Sequence, residues 1–353
     1  MLVRIRWHIL VLLVVGSCLP VCAQRRLATP ASGDTHPVPG GAKPMPGPLP
    51  RIDKPVLFNT PEADRILSHL QIFPPDNPWN EDISRRPVAA NSARIVAGMR
   101  SSTSLWYNLD MAVIIVPPNQ PKVAVQIKSY PDESEPGPYP IPENAPVEGW
   151  PAAIRAQHPA LTLAQLQRDG DGDRHVLVLD PYAMKAYEMW RGFKRDSGWE
   201  AAQVSIFDLR SNKTRPNGWT SGDAAGLPII PATVRFDECE RGMVNHALRV
   251  TAHHTQNAYV YPATHFASRS TDSDLPRMGE RLRLRQDFDV HRFSPHAQAI
   301  LKGLKKYGMF VADNGMDWLI SIAPDERLRG LDDLQRVKPA DFEVIVPTGP
   351  ARR

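Results

Sequence analysis

Between Gly218 and Gly226 the chain runs Gly218-Trp219-Thr220-Ser221-Gly222-Asp223-Ala224-Ala225-Gly226. These are residue types that can hold a sugar ring. Glycine lets the backbone approach a ligand, Trp219 offers a flat apolar face, and Ser221 and Asp223 offer hydrogen-bonding edges. Ser221 is not the serine of a nucleophile elbow, because the Gly-x-Ser-x-Gly pattern is not met. The alternative is a packed loop between strands, with Trp219 in the core.

The histidines suggest a second constellation. His246 opens the apolar segment Ala247 to Val250, a polar stretch follows, and Ala258 to Tyr261 returns with His265 just beyond. A hairpin pairing Val250 with Tyr259 puts His246, Tyr261 and His265 on one face, where they could transfer protons or bind a metal. A slip of one residue sends His265 to the other face. The alternative is histidines hydrogen-bonded at a strand end.

Acidic residues give three further candidates. Asp169, Asp171 and Asp173 alternate with glycines, and Asp180 falls at the twelfth place of a calcium-loop count. Arg174 stands where such a loop needs glycine, so a polar turn entering a strand is the competing reading. Asp180 or Glu188 with Asp223 would make the carboxylate pair of a glycoside hydrolase. Asp313, in Ala312-Asp313-Asn314-Gly315, is either a substrate contact or the cap of a tight hairpin turn. Cys239 lies among Asp237, Glu238 and Glu240, which raise a thiol's pKa and make it a poor nucleophile.

The elements that position these residues read as strands. Met111 to Val116, Val123 to Ile127, His175 to Leu179, Ala186 to Trp190, Val204 to Phe207, Thr233 to Phe236, Ala247 to Val250, Ala258 to Tyr261 and Arg281 to Arg285 are short apolar or alternating runs between turn residues. Asp317 to Ile322 adds a last strand. Helices are expected from Thr60-Pro61, from Ser294-Pro295 to Tyr307, and near Leu331 to Val337. The pattern predicts a mainly β chain, an antiparallel β-sandwich or jelly-roll-like sheet with a few peripheral helices, as one domain over residues 54–350.

Residues 1–23 have the make-up of a signal peptide: Arg4 and Arg6, the apolar run Ile9 to Val15, then Val21-Cys22-Ala23. Cleavage before Gln24 predicts an exported protein, periplasmic or extracellular. The apolar run is too short to span a bilayer. Val15-Gly16-Ser17-Cys18 loosely resembles a lipobox, which leaves acylation at Cys18 as an alternative. Residues 24–53 hold seven Pro and four Gly and read as a disordered tether. The leader contains two Arg and no acid, so its loss takes the formal charge from +4 to +2. That is too little for a nucleic-acid partner. Only Cys239 would remain, so no internal disulfide can form.

Asn77-Pro78-Trp79-Asn80, Asp173-Arg174-His175-Val176-Leu177-Val178-Leu179-Asp180, Gly218-Trp219-Thr220-Ser221-Gly222-Asp223-Ala224-Ala225-Gly226-Leu227-Pro228 and Ala312-Asp313-Asn314-Gly315 together resemble a family of secreted bacterial proteins of uncharacterised activity. The resemblance covers Pro74 to Val344. It implies one exported domain and assigns no chemistry.

From the residues themselves, the expected function is a secreted carbohydrate-active protein, either a polysaccharide hydrolase or a lyase. His246, Tyr261, His265 and Asp223 are its catalytic candidates; Trp219, Ser221 and Asp313 are candidates for binding substrate. The alternatives are a non-catalytic envelope or glycan-binding module and a metal-binding hydrolase. The partner is a polysaccharide or another extracellular ligand. No cofactor is required; calcium at Asp169, Asp171 and Asp173 is the metal the spacing admits.

Overall fold

The computed structural model describes residues 47–353 apart from residue 101. The expected leader, Cys18 and the first part of the tether lie outside the described residues. The packed part begins before the boundary expected at residue 54. Ile52 is buried, its N–H donates to the Tyr182 hydroxyl at 2.9 Å, and that hydroxyl donates to the Pro50 carbonyl at 2.9 Å.

Three sheets carry the fold. Five strands run in the order β1 (Val56–Leu57), β3 (Val113–Ile115), β5 (Val176–Asp180), β6 (Lys185–Trp190), β9 (Gln203–Asp208). Six run in the order β14 (Phe342–Val344), β11 (Arg281–Leu284), β12 (Met309–Asn314), β10 (Leu248–Ala252), β13 (Leu319–Ser321), β2 (Trp106–Asn108). The small third sheet is β4 (Val125–Ile127), β8 (Gly198–Ala201), β7 (Phe193–Arg195).

The five-stranded sheet divides the core, because successive side chains of a strand point to opposite faces. Leu177 and Leu179 of β5, with Ala186 and Phe207, join the main core that the six-stranded sheet also lines. Val176 and Val178, with Tyr187, Met189 and Val204, face a second core closed by Tyr139, Ile141, Trp150 and Trp199.

Mostly sheet with few helices is what the patterning predicts, but an all-antiparallel arrangement is not what forms. Each sheet is mixed and none is a closed barrel: β3–β5, β10–β12, β13–β2 and β4–β8 are parallel. Parallel neighbours need long crossovers. The stretch from residue 253 to 308, containing β11 and the Pro295–Lys306 helix, provides one between β10 and β12.

Local signals at the helices hold. Thr60 caps the Pro61–Leu67 helix by accepting from Ala63 N–H at 3.2 Å, and Ser294 and Tyr307 bound the long helix. Two strand expectations and one turn expectation are overturned. Thr233 to Phe236 gives way to a 3-10 turn at Ile230–Ala232 and a helix at Phe236–Glu240, whose first turn holds Asp237 and Glu238, where the helix dipole favours acids. Ala258 to Tyr261 forms only single bridges, from Tyr259 to Met278 and Arg352. Asn314-Gly315 is no hairpin turn, because β10 lies between β12 and β13 and pairs with both.

Candidate functional site

β10 reads Leu-Arg-Val-Thr-Ala. Leu248 and Val250 point to one side, and Arg249 and Thr251 to the other. Although its strand is buried along its whole length, Arg249 carries a guanidinium into the interior. Nε donates to Asp223 Oδ2 at 2.8 Å, Nη2 donates to Asp223 Oδ1, and Nη1 donates to Ser321 Oγ on β13 at 2.5 Å. Asp223 is fully buried. The fork-to-fork geometry is what a buried carboxylate requires.

The loop holding Asp223 is anchored from several sides. Ser221 Oγ donates to the carbonyls of Asp223 and Leu227 at 2.8 and 2.6 Å. Thr220 N–H donates to Glu133 Oε2 at 2.7 Å, and Arg215 pairs with Glu135 at 2.7 Å. The loop's glycines serve packing. Gly226 has φ +72°, and a Cβ there would lie 2.1 Å from Thr264 Oγ1. Gly222 lets the loop meet His175, whose Cδ2 would be 3.4 Å from a Cβ.

His175 ends the turn that leads into β5. Its Nδ1 is 2.9 Å from Glu148 Oε2, and its Nε2 is 3.1 Å from the Gly222 carbonyl. Both ring nitrogens face acceptors, so the ring carries two protons. Burial alone would lower its pKa, but the Glu148 carboxylate outweighs burial and raises it to about 10. For Glu148, burial pushes upward and the His175 charge and hydrogen bonds win, so its carboxyl stays below the usual range. The Glu148 side chain remains 22% exposed.

Asp110 sits beside this pair; its carbonyl accepts from Gly149 N–H at 2.8 Å. Its Oδ1 is buried and has no hydrogen-bond partner among the described residues. Burial first, then the Glu148 charge, raise its pKa to about 7, against the pull of Arg249 and His175. Two more carboxyls near Asp223 titrate high. Asp313 on β12 is raised to about 7 by burial and by the Asp223 charge. Glu188 on β6 is raised to about 7 by burial, although it accepts from Ile229 and Ile230 N–H at 2.8 to 3.0 Å. Charge–charge interactions join Asp110 to Glu148, His175 and Arg249, and Asp313 to Asp223 and Arg249, in one largely buried cluster, the acidic crease, between the beginning of β5 and the middle of β10.

Of the residues expected to be functional, Asp223 and Asp313 are in this crease, and Ser221 staples the loop beside it. Trp219 lies outside, half-buried, with the Arg215 guanidinium 5.4 Å from its ring. His246, Tyr261 and His265 do not share a face, because Val250 pairs with Ile320 and Val311 instead of Tyr259. His246 is buried against Glu238, 3.0 Å from Nε2. Tyr261 is 40% exposed and lines a shallow groove with Asn77, Trp79 and Lys213. His265 does reach the back of the 218–226 loop, where Nδ1 is 2.7 Å from the Ala224 carbonyl.

Asp169, Asp171 and Asp173 are not gathered. Asp173 accepts from Trp190 Nε1 at 3.1 Å, and Arg174 pins the turn by donating to the carbonyls of Asp169 and Leu166. Among the described residues, no three His, Cys, Asp or Glu side chains stand together as a metal site. Asp180 caps its own turn by accepting from Tyr182 and Ala183 N–H. Cys239 is buried, and burial together with Glu238 and Asp237 raises its thiol pKa, as its neighbours predict.

The raised carboxyls set a pH dependence of stability. Asp110, Glu188 and Asp313 hold protons in the folded state up to about pH 7, whereas an unfolded chain releases them near pH 4. The folded state binds more protons in that window, so stability falls as pH rises from about 4 to 7. His175 adds stability that is present below its ordinary value and is lost as pH rises through about 10. Glu148 and Glu238, both lowered, lose theirs as pH falls below the ordinary glutamate range. The melting temperature should therefore peak at about pH 4 to 4.5 and decline towards pH 8, and Asp110→Asn should make that decline shallower. A melting temperature that rises from pH 5 to 8 would contradict this arrangement of charges.

In comparisons with known proteins, the chain matches no family model, no curated protein and no solved structure.

Proposed function

We propose that this chain is an exported glycan hydrolase whose reaction runs in the acidic crease, with Asp110 as general acid and Glu148 as general base. The observation that carries the reading is the opposite titration of two adjacent carboxyls. Asp110 is held protonated to about pH 7 with one oxygen free of protein partners, while Glu148 is held ionised by His175. Environments that drive a carboxyl pair apart in this way divide the roles of acid and base.

Asp110 donates its proton to the leaving glycosidic oxygen as the C–O bond breaks. Glu148 takes a proton from the incoming water, whose oxygen bonds to the sugar carbon. His175, as a positioning residue, holds Glu148 ionised and in place. The Arg249–Asp223 pair fixes the floor beneath them. Three of the four strings that carry the resemblance to secreted bacterial proteins contribute a residue here: His175, Asp223 and Asp313.

Mature protein should be incubated with a panel of soluble polysaccharides, scoring reducing ends and unsaturated products separately. Reducing ends without unsaturated products are expected, and Asp110→Asn should lower the rate about 10²–10⁴-fold while the melting temperature stays close to wild type. Unsaturated products would make it a lyase. No product from any polymer, or full activity in Asp110→Asn, would remove the reading.

A further inference from the structure

We infer that Trp106 is the stacking platform of a glycan-binding subsite that extends the acidic crease along β2. This rests on the reading of the crease as a glycan site. β2 is the edge strand of the six-stranded sheet and pairs in parallel with β13: Trp106 with Leu319, Tyr107 with Ile320, Asn108 with Ser321. Paired residues share a face, and neighbours along the strand alternate. Ser321 accepts from Arg249, which puts Asn108 on the crease face, and Asn108 in turn hydrogen-bonds Asp110. Tyr107 points the other way, where its hydroxyl donates to Asp332 at 2.7 Å. Trp106 is therefore on the crease face, two residues before Asn108 and about 6.6 Å along the strand.

Trp106 is 38% exposed, one of six exposed large hydrophobic side chains among the described residues. The row behind it runs Trp106, Leu319, Thr251 and then Asp313 of β12. One face thus carries an aromatic plane, the Asn108 side chain and the Asp110 carboxyl in succession, ending at the acid whose buried Oδ1 has no hydrogen-bond partner among the described residues. An indole face against the apolar face of a pyranose ring, with an amide and a carboxyl for the hydroxyls of the next, fits a polymer threaded along the strand. A single sugar would not need the row.

The test is retardation in native gels cast with xylan, laminarin, arabinan or pectin. It is run in the Asp110→Asn background so that the polymer stays intact. Asp110→Asn should be retarded by at least one polymer. Asp110→Asn with Trp106→Ala should need about tenfold more polymer for the same retardation, a loss of about 1.4 kcal/mol. Trp106→Phe should keep most of the binding, and unchanged melting temperatures show that the fold is intact.

Equal retardation with and without Trp106, or none in any gel, overturns the subsite. A dimer that becomes a monomer on Trp106→Ala gives the face to a second copy of the chain and also overturns it. Trp106-dependent retardation without hydrolysis by the wild type keeps the subsite and rejects the hydrolase. Hydrolysis without dependence of binding on Trp106 does the reverse.

Discussion

Replacing Arg249 by Met should destabilise the protein by about 3–5 kcal/mol, the cost of leaving a buried charge without its partner. Arg249 is 4% exposed and Asp223 is fully buried, and among the described residues the guanidinium supplies both hydrogen bonds to the Asp223 carboxylate oxygens. Methionine fills much of the same volume, so the loss is electrostatic and not a cavity effect. Asp110 and Asp313 also lose a nearby positive charge that opposes the rise in their pKa values. Chemical denaturation at pH 7 should show a lower midpoint with an unchanged slope. The double variant Arg249→Met with Asp223→Leu should recover much of the loss, because removing both charges of a buried pair is far milder than removing one. A single variant less than about 1 kcal/mol below wild type, or a double variant worse than the single, would mean that the pair is not the floor of the crease.

Much of the fold is legible from local pattern. β5, β6, β9, β10 and β11 fall within a residue or two of the apolar runs that announce them, and the Ser294-Pro295 start and Tyr307 end of the long helix are read directly. Strand order is not legible in this way. Asn314-Gly315 has the chemistry of a tight turn, yet β10, from more than sixty positions earlier in the chain, inserts between the strands on either side. Pairing at that separation depends on crossovers, which short-range turn signals do not encode.

The same limit explains the site. Asp223 and Asp313 stand out because they sit among glycines or at a turn. Glu188 stands out only as an alternative to Asp180 in a carboxylate pair; Arg249 and His175 are embedded in apolar strands or lead into them, and Asp110 and Glu148 lie in unremarkable loops. The usable signal was a charge inside a strand buried on both faces, as in Leu248-Arg249-Val250 or Tyr187-Glu188-Met189. Such a charge must find a partner in the interior. His246 misled for a related reason: its partner, Glu238, is on a helix that begins where the expected strand Thr233 to Phe236 ends.

Glu148→Gln should lower turnover about 10²–10⁴-fold and should also move the pH dependence of what remains. In the wild type, kcat/KM requires Asp110 protonated and Glu148 ionised. The basic limb should fall through about pH 7, and the acidic limb should lie below the ordinary glutamate value of 4.5. Rate is therefore highest in mildly acidic solution, where stability also peaks. Glutamine removes the negative charge that, after burial, contributes most to raising Asp110, so the basic limb of the residual activity should shift to lower pH. It also leaves His175 without the carboxylate that raises its pKa, so the imidazole should lose its second proton far below pH 10. That change can be followed by NMR of the His175 ring whether or not any turnover survives. A merely structural Glu148 would lower the melting temperature without the loss of turnover, about 10²–10⁴-fold, expected on removing a general base. An unshifted basic limb in an otherwise folded Glu148→Gln protein would separate Asp110 from Glu148 and remove the basis for assigning them as acid and base.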